Sequence, residues 1–288
     1  MTENKPSDAI LARLSISQWT GRKADKAVTA ELHAQKHASD QAGKYVKNLI
    51  DPKALTGINS AANEIRRMHN DLTRPWDDGG RRLLPGLMIP EYKERIMLRT
   101  SDFQDEVDKF CLIYPDLRDA APEWLGDLYD ETDYPFPEAM PGYFKINSLY
   151  EPIPSGSAIP MTLRDREEMA EKIEAQSREI MAESAQALFF RVKNTVQGLQ
   201  ARLMAYRDKL DSGSKTSFHK SVLDEVRNVA ALLPALNIEN DPFLNGVAER
   251  LQASLAAEEA SVLKDNASAR KAAIEEAGAI LKELEDHG

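Results

Sequence analysis

Apolar side chains recur every three to four residues over most of the second half of the chain. Met169, Ile173, Ile180, Leu188, Val192, Val196, Leu199, Leu203, Tyr206 and Leu210 form one stripe, with Ser177 and Ser184 as its small polar gaps. That period predicts a single helix of about 48 residues, roughly 70 Å long at 1.5 Å per residue. Asp211-Ser212-Gly213-Ser214 breaks it. A second helix carries Phe218, Val222, Val226, Val229 and Leu233 and stops at Pro234. A third opens at Asp241-Pro242 and runs through Phe243, Val247, Leu251 and Leu255 to Ile274, Leu281 and Leu284. Amphipathic helices of this length are not stable by propensity alone. The expectation is an antiparallel bundle or coiled-coil hairpin, with the remaining stripe open to self-association.

The first half follows a shorter period. Ala12, Leu14 and Ile16 alternate with Arg13, Ser15 and Ser17, a half-buried strand over 10–19. Residues 27–47 are helical in pattern but weakly apolar. Asp51-Pro52 fits an N-cap with proline in the first helical position, and a short helix through 62–68 follows. The prolines and glycines of 74–90 predict a loop with one short strand near 83–89. Helix returns over 91–114, where Tyr92, Ile96, Phe103, Val107, Phe110 and Tyr114 recur at helical spacing. Residues 116–141 form an irregular acidic segment, and 143–150 alternates again, as a partner for the first strand. The expected class is mainly α, with a small mixed α/β N-terminal part and a long-helix C-terminal part. The Pro/Ser/Gly-rich stretch 151–161 is the expected linker between domains 1–150 and 162–288.

Composition narrows the function classes. One cysteine excludes a disulfide framework and a cysteine-based zinc site. No apolar run reaches the roughly 18 residues that span a bilayer, and the polar start carries no export signal, so the expected location is the cytoplasm, without a membrane partner. The net charge of -10 looks unfavourable for nucleic acid, but it is unevenly spread. Residues 1–100 carry 17 basic and 12 acidic side chains, residues 101–160 carry 3 and 13, and residues 161–288 carry 17 and 22. A basic first third followed by an acidic segment suits a polyanion-binding face, with the acids repelling nucleic acid elsewhere or docking a basic protein.

Catalytic patterns are weak. His33 and His37 share helical spacing, but Ala34 stands where the zinc-protease pattern needs glutamate. Ser212-Gly213-Ser214-Lys215-Thr216 lacks the upstream glycine and strand of a phosphate loop. Cys111 sits between Phe110 and Leu112 as a structural thiol. Asp127, Asp130, Glu131 and Asp133 do not follow an EF-hand order and read as a solvated acidic loop. No cofactor and no enzyme activity are expected.

Three stretches combine cations with an aromatic ring: Trp19-Thr20-Gly21-Arg22-Lys23 with Lys26, then Lys44-Tyr45-Val46-Lys47, then 74–82 with Arg66 and Arg67 upstream. Single-strand binding needs both ingredients, because cations track phosphates and exposed rings stack on bases. The expected phosphate contacts are Arg22, Lys23, Lys26, Lys44, Lys47, Arg66, Arg67, Arg74, Arg81 and Arg82. Trp19, Tyr45 and Trp76 are the expected stacking residues.

Residues 10–120 also carry a resemblance. Trp19-x-Gly21-x-Lys23, Leu49-Ile50-Asp51-Pro52-Lys53, Ile89-Pro90 opening a helix, and Phe103, Phe110 and Tyr114 along it resemble an uncharacterised family encoded by phages and integrative elements, often near recombination or ATPase genes. The overall layout is similar to the single-stranded-DNA-binding RNA polymerase cofactor of lytic podophages that carry their own small RNA polymerases. The likeness implies a protein that binds melted single-stranded DNA and helps the phage polymerase, or another DNA-metabolism protein, engage it. Two other classes stay open: a helical scaffold or adaptor binding proteins through its long C-terminal helices, and a metal-dependent enzyme using His33 and His37.

Overall fold

A computed structural model describes residues 9–154, 163–212 and 218–287. The protein is mainly α, with its strands confined to the N-terminal half and long helices filling the C-terminal half. The alternating segment forms strand β1 (Ala9–Ser17), in which Leu11 is buried and Leu14 and Ile16 half-buried while Arg13, Ser15 and Ser17 face solvent. β1 lies third in a four-stranded sheet of order β4-β5-β1-β6, with β4 (Arg74–Pro75), β5 (Arg81–Pro85) and β6 (Lys145–Glu151). β1 and β5 run antiparallel, Ala9 opposite Pro85 and Arg13 opposite Arg81. The alternating stretch near 143–150 does lie beside the first strand.

The division into domains is not the expected one. One compact unit runs through Met1–Arg13, Asn70–Tyr92 and Leu149–Gly288, the other through Leu14–His69 and Lys93–Ser148. The chain passes between them inside β1, α2 (Thr56–Asp71), α3 (Ile89–Asp119) and β6. A search for Pro/Gly linkers cannot find boundaries placed inside regular elements. Most of the expected linker 151–161, and Gly213 and Ser214 of the expected break, lie outside the described residues.

In the first unit the long helix is α5 (Leu163–Asp211). It runs antiparallel to α9 (Ala267–His287): Lys193 meets Glu285, Gln200 donates to Ile274 O, and Arg270 lies over the Tyr206 ring. The α5 stripe is fully buried at Leu188, Val192, Val196, Leu199 and Leu203, whereas its ends at Met169 and Leu210 are exposed. α6 (Ser221–Leu236) continues past Pro234 to the end of its last turn. The expected third helix is three: α7 (Pro242–Ala253), α8 (Ala260–Asp265) and α9. Arg227 of α6 explains the first break, because its guanidinium takes the carbonyls of Ala256 (2.9 Å) and Glu258 (2.6 Å), acceptors that a continuing helix would use. Asn266 then caps α9 through the amides of Ser268 and Ala269. The apolar spacing runs on across both breaks, so periodicity alone reads them as one helix.

The second unit packs α2 and α3 around Leu49, Ile58, Ile65, Phe103, Val107, Phe110 and Tyr114. α2 is longer than the expected short helix, and the short α4 (Ala121–Leu125) lies in the expected irregular acidic segment. α3 continues through Pro115 to Asp119, although proline inside a helix costs about 3 kcal/mol; burial of Tyr114, and of Leu117 against the same core, offsets it. Tyr114 donates to Pro135 O (2.9 Å) and Tyr134 to Leu49 O (2.7 Å). Burial pushes both phenols up to about 12. Both are neutral in the fold, so their contribution is full below the ordinary value of 10.0 and lost as pH rises through the folded one. In an absorbance titration two of the eight tyrosines are therefore expected to ionise only near pH 12 or together with unfolding. Ionisation of all eight near 10 would contradict this packing.

Candidate nucleic-acid interface

The basic first third builds one distinct substructure in the second unit. Gly21 turns the chain with φ 63°, a left-handed conformation in which a Cβ would press to 3.3 Å from Ile50 and Leu55. β2 (Arg22–Ala24) then pairs antiparallel with β3 (Val46–Asn48): Arg22 lies opposite Asn48, Lys23 opposite Lys47, Ala24 opposite Val46. Between them runs α1 (Lys26–Lys36), capped by Asp25 and ended by His37 at φ 52°. Lys44-Tyr45-Val46-Lys47 thus leads into and forms a strand, whereas the sequence predicts a helix end there. The left-handed His37 stops the helix ten residues early.

Strand periodicity sorts these cations onto two sides. Lys23 and Lys47, opposite one another, both reach Asp133. Lys47 Nζ lies 2.8 Å from Asp133 Oδ2, 3.4 Å from Asp25 Oδ2 and 2.6 Å from Leu128 O, and Lys23 pairs with Asp133 Oδ1. Lys47 is 6% exposed and the Asp133 side chain 1%. Burial by itself would lower the Lys47 ammonium, but Asp133 and then Asp25 outweigh it and hold it above its ordinary value. The Val28 amide, and then Lys47, hold Asp25 below its own. Lys47 is therefore a structural cation rather than a phosphate contact, and Asp133 is no part of a solvated loop. The acidic segment neutralises part of the basic third from within the same unit.

Arg22 and Lys44 lie on the other side of this ribbon, with Ala24 and the exposed Val46. The hydrogen bond from Asp25 N to Tyr45 O, 3.0 Å, extends the pairing and brings Lys26 and Lys44 to the same end. Arg22, Lys26 and Lys44 are exposed and make no ion pair among the described residues; Tyr45 is half-buried and by alternation falls on the Lys47 side of the ribbon, not with Lys44 and Val46. Trp19 is not a free stacking platform: it packs edge-on to Tyr114 (5.5 Å) and against Phe110 (6.0 Å). On α2, Arg66 is exposed and bonds Asn63 and Gln18, and Arg67 lies 4.0 Å from Glu64.

The remaining four expected residues belong to the first unit, and two of them are core. Trp76, 5% exposed, packs with Leu11 and Leu83 against Ile180 and Ile238. Arg74, 1% exposed, forms a fork with Glu239 (2.6 and 2.7 Å) and also bonds Ser184 Oγ and Leu236 O. Neither side chain is open to a ligand in this fold. Arg81 bonds Asp77 at 2.6 Å and, against the effect of burial, holds that carboxyl below its usual range. Arg82 faces a cleft of about 330 Å³ together with Arg191 of α5. Nothing in Phe190-Arg191-Val192 marks Arg191 in the sequence, because its neighbours Asn70 and Asp71 are about 120 residues away.

The expected residues thus form two groups in two units, and the β2–α1–β3 substructure is where Arg22, Lys26 and Lys44 stay exposed without an ion pair among the described residues. His33 lies in α1 and His37 in its left-handed cap, and no group of three or more His, Cys, Asp or Glu among the described residues could hold a metal ion. Burial, then Asp108, pushes the Cys111 thiol up. No helix among the described residues is long and apolar enough to cross a membrane. No protein-family model, curated protein or solved structure matches the chain.

Proposed function

We propose that the protein is a non-enzymatic single-stranded-DNA-binding protein, phage-encoded as its resemblance implies, that helps a phage RNA polymerase engage melted DNA. Its contact is the outward side of the β2–β3 ribbon and the start of α1. The observation that carries this reading is the sorting of cations on that ribbon. Lys47 is buried against Asp133, and Lys23, though half exposed, is paired with the same carboxylate, while Arg22, Lys26 and Lys44 are exposed and make no ion pair among the described residues. Exposed cations without a carboxylate partner are free to track phosphates.

Fluorescence anisotropy with single-stranded and duplex oligonucleotides at two salt concentrations tests it. Binding is expected to favour the single strand and to weaken with salt. Arg22→Ala, Lys26→Ala and Lys44→Ala combined should reduce the salt slope by about 2, at roughly 0.7 for each phosphate that the triple variant no longer neutralises. Trp76→Phe should leave affinity unchanged. Absence of binding at low salt refutes the reading.

One observation favours an adaptor role, but through the second unit and not through the long C-terminal helices of the expected alternative. The second unit exposes large apolar side chains on and after α3, with Leu112 at 81%, Phe136 at 68% and Met97 at 66%. Apolar side chains exposed to this extent are available for protein contacts where they are contiguous. A chain that binds no oligonucleotide but associates through these residues would establish that class instead.

A further inference from the structure

The cleft beside β4, β5 and the middle of α5 holds one guanidinium, that of Arg82, with no carboxylate partner among the described residues. Nη2 of Arg82 and Nη1 of Arg191 each lie 3.4 Å from one carbonyl oxygen, that of Asn70. Two guanidiniums therefore converge on a single neutral acceptor. Arg82 places Nε on Thr73 Oγ1 at 2.6 Å and Nη2 on Thr73 O at 3.1 Å. Arg191 places Nη1 on Asp71 O at 3.0 Å and Nη2 on Asp71 Oδ1 at 2.8 Å. A guanidinium carries five N–H donors. Nη1 of Arg82 and Nε of Arg191 are left without an acceptor among the described residues.

The carboxylates nearby are already engaged. Asp71 pairs with Arg191 and also accepts from Asn228 Nδ2 at 3.1 Å. Glu225 adds attraction at Arg191, and Glu239 matches Arg74, which completes the wall. Arg82 has no carboxylate partner among the described residues. Burial, and then the charge of Arg191, pulls its guanidinium down to about 10. An arginine stays protonated at any working pH, so the shift registers how unfavourable that charge is where it sits.

We propose that this cleft is an oxyanion site that takes a phosphate group, bound by Arg82 and Arg191. Donors arriving from a strand and from a helix suit a tetrahedral anion with several oxygens. A planar carboxylate is saturated by one guanidinium fork. The cleft of about 330 Å³ admits a phosphate or the head of a phosphate monoester. The site lies in the first unit and does not rest on the ribbon reading. Its ligand chemistry is phosphate, whether free or within a polynucleotide.

Calorimetric titration of the full chain with inorganic phosphate, at ionic strength held constant with chloride, tests the site. Saturable binding and a raised thermal midpoint are expected. Arg82→Gln and Arg191→Gln should each weaken binding by about tenfold or more, the effect of removing one charge-assisted hydrogen bond. Arg82→Lys, which keeps the charge, should retain part of it and carries the comparison if Arg82→Gln does not fold. Repeating the titration with a single-stranded oligonucleotide separates the sources of phosphate: competition assigns the site to a polynucleotide, independent binding to a free phosphate or monoester. If phosphate has no effect beyond that of chloride, or binds Arg82→Gln as it binds wild type, the proposal is overturned.

Discussion

Glu239→Ala is expected to lower the unfolding free energy by about 3–5 kcal/mol, the scale for leaving a buried charge, here that of Arg74, without its partner. Arg74, at 1% exposure, would keep its charge and lose both arms of a fork at 2.6 and 2.7 Å. Unlike a lysine it cannot escape by releasing its proton. Ser184 Oγ at 3.0 Å and Leu236 O at 3.1 Å would still accept from it, so the lower end of the range is the better guide. Arg74→Met should be milder, because Glu239 is partly exposed and water can take its charge. The double variant Arg74→Met/Glu239→Met should recover part of the loss, since apolar replacements of a buried pair are often neutral. Urea denaturation of the four proteins measures this order. If Glu239→Ala changes stability by less than about 1 kcal/mol, the fork contributes nothing to the fold.

Asp133→Ala should destabilise the second unit by a similar amount, about 3–5 kcal/mol near neutral pH, and with a particular pH dependence. In the wild type Lys47 is held above its ordinary value of 10.5. Its contribution is therefore full below that value and is lost as pH rises through the higher folded one. Without Asp133, burial, the largest single influence on Lys47, is opposed by Asp25 as the one remaining carboxylate, and the ammonium is expected to fall below its ordinary value. A group depressed in this way binds fewer protons folded than unfolded, so stability then rises with pH. The deficit of the variant should accordingly shrink between neutral pH and about pH 10. Lys47→Met in the Asp133→Ala background should remove that dependence. A deficit that stays constant across this range would show that Lys47 is not the group left unpaired. Asp25, 3.4 Å away, and Leu128 O keep the expected loss from being larger.

Much of the architecture was legible in the residue pattern. The β1 alternation, the Asp51-Pro52 start and the stripe from Leu188 to Leu203 all hold, because each rests on contacts whose period is set by the element itself. The misread boundaries have local causes that a pattern does not carry. A left-handed His37 ends α1 early, and the Arg227 guanidinium intercepts the carbonyls between α7 and α8. The candidate site was legible only as a population of cations and rings. Arg22 and Lys23 are adjacent in sequence, yet Arg22 makes no ion pair among the described residues and Lys23 is bound to an acid 110 residues away.

By itself the sequence determined a mainly helical protein with a small sheet in its first half, and a first third rich in arginine, lysine and aromatic rings. Those properties follow from composition and from short periods along one chain. Only the tertiary structure decided what each of those side chains does. Trp76 and Arg74 are core because of Ile180, Ser184, Ile238 and Glu239, which lie more than 100 residues further on. Lys47 is internal because Asp133 meets it, and Arg82 faces a cleft because Arg191 shares its carbonyl. The physical reason is common to all four: the charge or the ring is a property of the residue, but its burial and its partner are properties of whatever the fold brings against it.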